Sequence, residues 1–324
     1  MSPKIVVIAA CLALAACGGD GVSDGSGSSG SGSSPSGGSS TGGGTSGTSP
    51  TSGSGSVRTM MYEALAAPSD ATSFLAQLNT EGAKGYRYIA EEGFSGAATN
   101  VFINDGANTY SYEFQSVDST QTGFLAQANQ EGAKGFRYDG PLALGNLYRH
   151  QGNSSSTYTY AAAAAPTGSA AFLTQANAQG QNGYWYYGPV QLDSASTSLY
   201  MKDNSSASTY TYDAVTPVQS VGDFVTQANN EGAKGYRFKG GLGFGTDSAA
   251  VYVKDQTQSP TFTYQSQTSQ TTSAAFIQQA NAQGAESEAY LGDLVFGSTP
   301  TSLYFLATGC TGFLCSSLNT FTQN

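Results

Sequence analysis

One histidine, one tryptophan and four cysteines occur in 324 residues, and only 10% of the chain is Asp, Glu, Lys or Arg. With His150 alone, no HExxH zinc site and no multi-histidine metal centre can be assembled. A P-loop and a CxxC pair are also missing, and GxSxG strings occur only inside the Gly/Ser tract (21–25 and 38–42), where no strand-to-helix elbow is expected. Basic residues are the scarcer charge, 12 Lys+Arg against 22 Asp+Glu, a formal charge of −10. Nucleic acids and anionic lipid faces are bound through basic surfaces, so neither is an expected partner. No apolar run is long enough for a transmembrane helix; the longest is "IVVIAACLALAA", residues 5–16.

That run, behind Met1–Lys4, reads as the hydrophobic region of a signal peptide spanning residues 1–16. It closes on Leu14–Ala15–Ala16–Cys17, which resembles the lipobox of bacterial lipoproteins. The resemblance implies cleavage before Cys17, a diacylglyceryl thioether on its sulfur and acylation of the new amino terminus. Several acyl chains make a stable anchor where one would bind only marginally. Gly18 stands where an Asp would signal inner-membrane retention in Gram-negative bacteria, so in a Gram-negative host the outer membrane is the expected location. Loss of Lys4 with the signal leaves 11 Lys+Arg against 22 Asp+Glu, a charge of −11. Residues 18–56 are almost all Gly, Ser and Thr with nothing to bury, so segment 17–56 is expected to be a lipidated tether with a coil span of roughly 35 Å. Cys11 leaves with the signal. The two remaining cysteines, Cys310 and Cys315, form an even pair in an oxidising compartment and read as a disulfide in the tail, residues 309–324.

From residue 57 the chain repeats itself. "EGAKGYRY" at 81–88 returns as "EGAKGFRY" at 131–138 and "EGAKGYRF" at 231–238, and the phrase begun by Phe74 recurs at Phe124, Phe172, Phe224 and Phe276, spacings of 50, 48, 52 and 52 residues. Such a period marks a repeat architecture. Units fall at about 57–106, 107–154, 155–206, 207–258 and 259–308. Each begins with a strand such as "MMYEAL" or "TYSYEF" and continues into a helix. Polar residues Ser69–Asp70, Asp118–Thr120 and Thr167 offer N-caps. Phe74, Leu75 and Leu78 share one helical face, and Ala128, Ala176, Ala228 and Ala280 replace Leu78 in later copies. Helical spacing ends at Gly82, Gly132, Gly180, Gly232 and Gly284, expected to be left-handed caps. The period then changes to two, placing Tyr86 and Tyr88 on one strand face and Arg87 on the other. A last strand, "NVFI" in the first copy, completes an α+β unit of strand, helix, strand, strand (βαββ).

Asn79-x-x-Gly82-x-x-Gly85-Tyr86 resembles the Asn-x-x-Gly-x-x-Gly-Trp-Glu core of a family of small bacterial strand–helix–strand–strand domains of unknown function. The match recurs through Asn129, Asn177 and Asn229 and departs at Arg87, Arg137 and Ser287. It implies a fold and no activity. One such unit is too small to be stable alone, so neighbours must share a core. Two assemblies provide that: a linear array of βαββ units, or a ring in which the last unit meets the first. In count and element order the ring resembles the fivefold α/β propellers called penteins. Their enzymes use a nucleophilic Cys with a His and acidic partners, for which this chain offers only a paired Cys310 and Cys315 and the single His150.

Candidate chemistry is sparse. His150 shares its repeat position with Lys202 and Lys254, as a solvated strand-end residue would. Glu91 and Glu92 are consecutive in a strand and point apart. Asn104–Asp105–Gly106 reads as a hairpin turn, with too few ligands for calcium. Lys84 and Arg87 suggest a helix exit, with a ligand clamp as the alternative. Tyr184, Trp185, Tyr186 and Tyr187 are the densest aromatic cluster and the candidate binding residues; Tyr110/Tyr112, Tyr158/Tyr160 and Tyr210/Tyr212 suit a half-buried sheet. No cofactor or metal is implied. The expected function is a non-catalytic, lipid-anchored envelope protein presenting a repeat-built surface to a protein or glycan. The alternative is a glycan-acting enzyme whose two carboxylates come from different units.

Overall fold

The computed structural model describes residues 58–245 and 247–324. The expectations for the signal segment, Cys17 and the Gly/Ser linker lie outside the described residues. Five βαββ units follow one another. Unit 1 comprises β1 (Met61–Ala66), α1 (Ala71–Ala83), β2 (Arg87–Phe94) and β3 (Ala97–Asn104). Unit 2 comprises β4 (Tyr110–Gln115), α2 (Gln121–Ala133), β5 (Phe136–Leu142) and β6 (Gly145–Gln151). Unit 3 holds β7 (Tyr158–Ala164), α3 (Ser169–Gln181), β8 (Tyr184–Leu192) and β9 (Ala195–Asp203). Unit 4 holds β10 (Tyr210–Val215), α4 (Val221–Ala233), β11 (Arg237–Phe244) and β12 (Asp247–Asp255). Unit 5 holds β13 (Thr261–Thr268), α5 (Ser273–Ala285), β14 (Glu288–Phe296) and β15 (Thr299–Thr308). Each unit forms one open, antiparallel, three-stranded sheet with its last strand in the middle, as in the order β1-β3-β2. Asn104–Asp105–Gly106 is therefore not a hairpin turn: it carries the chain from β3 of one sheet to β4 of the next, with Asn104 Oδ1 accepting from the Gly106 N–H at 2.8 Å.

The helices start where polar residues satisfy free backbone N–H groups. Asp70, Thr120, Ser220 and Thr272 each accept from the N–H three residues on. Thr167 does not cap α3. Gly168 occupies that position without a side-chain bond, and the Ser169 N–H instead donates to Asp247 Oδ2 of unit 4 at 2.8 Å.

The two glycines of each unit divide two tasks. Gly82 and its equivalents lie inside the last helical turn and are not the left-handed caps expected of them. That conformation belongs to Gly85 (φ 93°), Gly135, Gly183 and Gly235, with Ser287 adopting φ 67° in unit 5. What requires glycine at 82 is contact: a Cβ there would stand 2.9 Å from the carbonyl carbon of Tyr110 and closer still to its oxygen.

This close approach is the joint between units. α1 packs on β4 of unit 2, and the Asn79 side chain accepts from the Tyr112 N–H at 2.7 Å while donating to the Tyr112 carbonyl at 3.1 Å. It thereby satisfies both polar groups that this edge-strand residue turns away from β6, where no further strand lies. The Tyr112 hydroxyl reaches back to accept from the Tyr88 N–H at 2.9 Å. Further on, the helix phenylalanine meets the next unit's hairpin, as Phe172 meets Phe244 with centroids 5.2 Å apart. The motif repeats because the joint repeats.

Unit 5 makes the same contacts with unit 1. Asn281 accepts from the Tyr62 N–H and donates to its carbonyl, Gly284 packs against Met60, the Tyr62 hydroxyl accepts from the Tyr290 N–H, and Phe276 meets Phe94 at 5.2 Å. The sheets stay open, and the series of units closes on itself through α5 and β1.

Candidate functional site

Strand alternation turns Tyr88 toward its helix, where it meets Phe74 edge-on at 5.5 Å, and turns Arg87 the other way. The equivalents of Arg87 are Arg137, Trp185, Arg237 and Ala289. Two residues further along each strand come Ile89, Asp139, Tyr187, Lys239 and Leu291. In a closed series these ten face a common channel, and eight of them bond to or pack on one segment, residues 313–324. The tail therefore fills the channel. Arg87 donates to the Ser317 carbonyl. Arg237 Nη2 donates to Gln323 Oε1 at 2.9 Å, and Trp185 Nε1 to Asn324 Oδ1 at 2.7 Å. Lys239 Nζ is surrounded by the Tyr187 and Gln323 carbonyls, both at 3.1 Å, and by Asn324 Oδ1 at 2.9 Å. Cys310 and Cys315 sit at disulfide-bond distance where the tail enters, as expected.

Burial works against the channel's cations. It holds the Lys239 amine well below its usual range, helped by the Arg237 and Arg137 charges, and brings Arg237 down to about 10. Carbonyl oxygens of the tail offset part of that desolvation, since a charge without partners costs several kcal/mol in such a setting. Arg149 has a carboxylate partner: its Nε and Nη2 grip Asp139 at 2.6 and 3.1 Å. Among the described residues Arg137 has no such carboxylate partner. Burial lowers its pKa, Arg149 adds to the effect, and its guanidinium lies 4.8 Å over the Phe313 ring.

At the tail's entry a cavity of about 390 Å³ remains, lined by Arg58, Arg87, Arg137 and Arg149 together with Asp105 and Phe313. Ala107, Ser206 and Thr311 on its rim are exposed, so it opens to solvent.

The sequence candidates fall in different places. Trp185, Tyr186 and Tyr187 are buried, and only Tyr184 is partly exposed, under the Lys202 amine 5.8 Å from its ring. The four do not form an open platform; Trp185 is channel wall. His150 pairs in register with Phe136, 5.3 Å from its ring, as Lys202 and Lys254 sit over Tyr184 and Tyr236. Lys84 binds both oxygens of Glu81 at 2.8 Å, while Arg87 turns into the channel, so no clamp forms from that pair. Glu91 is exposed and Glu92 accepts from Thr320 Oγ1 at 3.1 Å, so these two do diverge.

Carboxylates meet elsewhere. Glu63 is pushed up to about 7 by burial and then by neighbouring Glu81, and Glu113 is raised in the same way by burial and then Glu131. Both pairs lie within one unit beside a lysine, a recurring structural feature. Glu92 of unit 1 is pushed up to about 7 by burial and then by Asp293 of unit 5. Sequence reasoning missed this pair and the arginine cavity, because neither has a local signature. Among the described residues no group of three His, Cys, Asp or Glu is placed to hold a metal, and no helix is long and apolar enough to cross a membrane. No family model, no curated protein and no solved structure matches the chain.

Proposed function

We propose that this chain is a non-catalytic, lipid-anchored cell-envelope protein, held through acylated Cys17 at the outer membrane of a Gram-negative bacterium, whose five-unit body presents a rigid interaction surface to a protein or glycan. The observation that carries the non-catalytic reading is the filled channel: the space enclosed by five inward-facing strands is occupied by residues 313–324. A catalytic site needs room for substrate beside its acids and bases, and among the described residues the tail leaves such room only in the cavity at its entry. Anchorage rests on the Leu14–Cys17 sequence and the Gly/Ser tether behind it.

A second reading is favoured by one observation. Glu92 is raised first by burial and then by the Asp293 charge, so carboxylates from different units influence one another, as a glycan-acting enzyme would require of its pair. Thr320 of the tail already occupies one oxygen of Glu92, which supports the non-catalytic reading over this one.

The test is metabolic labelling with palmitate and membrane fractionation of the full chain and its Cys17→Ser variant, together with turnover assays on envelope glycans. Label and membrane association are expected to vanish in the variant, with no hydrolysis by either protein. A Cys17→Ser chain that stays with the membrane refutes the anchor. Hydrolysis abolished by Glu92→Gln refutes the non-catalytic reading.

A further inference from the structure

Lys239 meets the tail in an arrangement that can react. Its Nζ lies 2.9 Å from Asn324 Oδ1, and contacts to the Tyr187, Thr322 and Gln323 carbonyls hold it there. Cγ of Asn324 is one carbonyl bond from that oxygen, so Nζ stands no more than about 4 Å from it, against roughly 3–3.5 Å for a near-attack pair. The same Oδ1 accepts from Trp185 Nε1 at 2.7 Å, a fixed donor placed where negative charge would develop if an amine added to the amide. The departing nitrogen is placed as well. Asn324 Nδ2 donates to the Tyr187 carbonyl at 2.7 Å and Nζ donates to that same oxygen at 3.1 Å, so one acceptor holds the two nitrogens side by side.

The setting favours a nucleophilic lysine. Lys239, Trp185 and Asn324 are each 3% exposed or less, so water neither solvates the ammonium nor competes for the amide. Burial, then the Arg237 and Arg137 charges, holds the amine well below its usual range, and the acceptors around it are uncharged oxygens. Desolvation and a neighbouring cation are the conditions that activate a lysine as a nucleophile. We infer that Lys239 and Asn324 join through an isopeptide bond that fixes the seated tail in the channel. The lone pair of neutral Nζ adds to Cγ, and the carbonyl electron pair moves onto Oδ1, held by Trp185. A proton passes from Nζ to Nδ2, the Cγ–Nδ2 bond breaks, and ammonia leaves. One amide replaces another; nothing is oxidised or reduced, and no co-reactant is consumed. The bond joins residues 85 positions apart and ties β11 of unit 4 to the tail. It depends neither on the lipid anchor nor on any ligand of the body.

The experiment is a tryptic peptide map of the full chain by mass spectrometry. No Lys or Arg follows Lys254, so residues 255–324 form one peptide, and a free Lys239 is cut to release Phe238–Lys239. A coupled Lys239 resists trypsin. The expected species is residues 238–254 branched onto 255–324, lighter than the two together by one ammonia, with fragmentation placing the branch at Lys239 and Asn324. Lys239→Arg is expected to abolish it, and in pulse–chase expression Trp185→Phe is expected to slow its formation about a hundredfold or more. Circular dichroism checks that the variants are folded, and the wild-type map stands without either of them. Recovery of Phe238–Lys239 with only linear 255–324 overturns the proposal, as does an ammonia loss confined to linear 255–324, which marks a succinimide. A folded Trp185→Phe chain that couples as fast as wild type also overturns it, because the donor to Oδ1 then has no part in the reaction.

Discussion

Replacing Gly284 with alanine gives opposite signs for a closed series of units and for one with free ends. In the last turn of a helix with nothing against it, Gly→Ala stabilises by about 1 kcal/mol, because alanine loses less backbone entropy. In the closed structure the added Cβ would stand 2.9 Å from the Met60 carbonyl carbon and closer to its oxygen. Backbone at that distance cannot swing aside as a side chain can, so α5 must move off β1. That displacement strains the Met60 N–H to Gly284 carbonyl bond (3.0 Å) and the paired bonds between Asn281 and Tyr62 (2.6 and 3.2 Å). Hydrogen bonds of this kind contribute about 1 kcal/mol each, and overpacking costs about 1–3 kcal/mol. After the helical gain is subtracted, a net loss of about 2–4 kcal/mol is expected. The assay is equilibrium urea unfolding of the full chain, with Gly232→Ala as reference, since that glycine sits at an internal joint and packs on Phe262 in the same way. Both variants should lose similar stability. A Gly284→Ala chain as stable as wild type, or more stable, while Gly232→Ala is impaired, refutes the closing joint.

Two further outcomes follow from the buried charges. Glu63 and Glu92, whose ordinary value is 4.5, are both pushed up to about 7, by burial first and then by Glu81 and Asp293 respectively. The folded chain therefore holds these protons more tightly than the unfolded one: the stabilisation is complete below about pH 4.5 and is lost as the pH rises through about 7. Glu63→Gln/Glu92→Gln should flatten the decline of unfolding free energy between about pH 5 and 8, and an unchanged slope in urea titrations across that range argues against the assignment. Ending the chain after Thr308 opens the channel to water and removes tail oxygens from Arg87, Arg237 and Lys239, charge-assisted hydrogen bonds that contribute about 1.5–3 kcal/mol each. Its thermal midpoint should fall far below that of Cys310→Ser/Cys315→Ser, whose short disulfide loop accounts for only about 2 kcal/mol. Equal midpoints would mean that the tail fills the channel without stabilising it.

The repeat, its element order and the facing of its strands were legible from residues alone. Phe74, Leu78 and the alternation of Tyr86, Arg87 and Tyr88 express periods of 3.6 and 2, which any chain segment shows over a dozen residues. Caps at Asp70 and Thr120 are equally local, and so is the change of period after Gly85. The role of Gly82 was misjudged for a related reason. A glycine near a helix end resembles a cap in sequence, and only the carbonyl of Tyr110, 28 residues on, reveals that contact requires it.

Tertiary structure alone decided how the units meet and what lies inside them. Asn79 clamps Tyr112, Asn281 clamps Tyr62 across 219 residues, and Trp185 reaches Asn324 across 139. Pairings at such distances leave no periodic trace, because each partner satisfies its own local pattern equally well with or without the other. The chain could be parsed into five like pieces from its letters. That the fifth rests on the first, that the tail enters their common channel, and that Arg137 is left facing a cavity depend on which polar groups meet once the strands have turned inward.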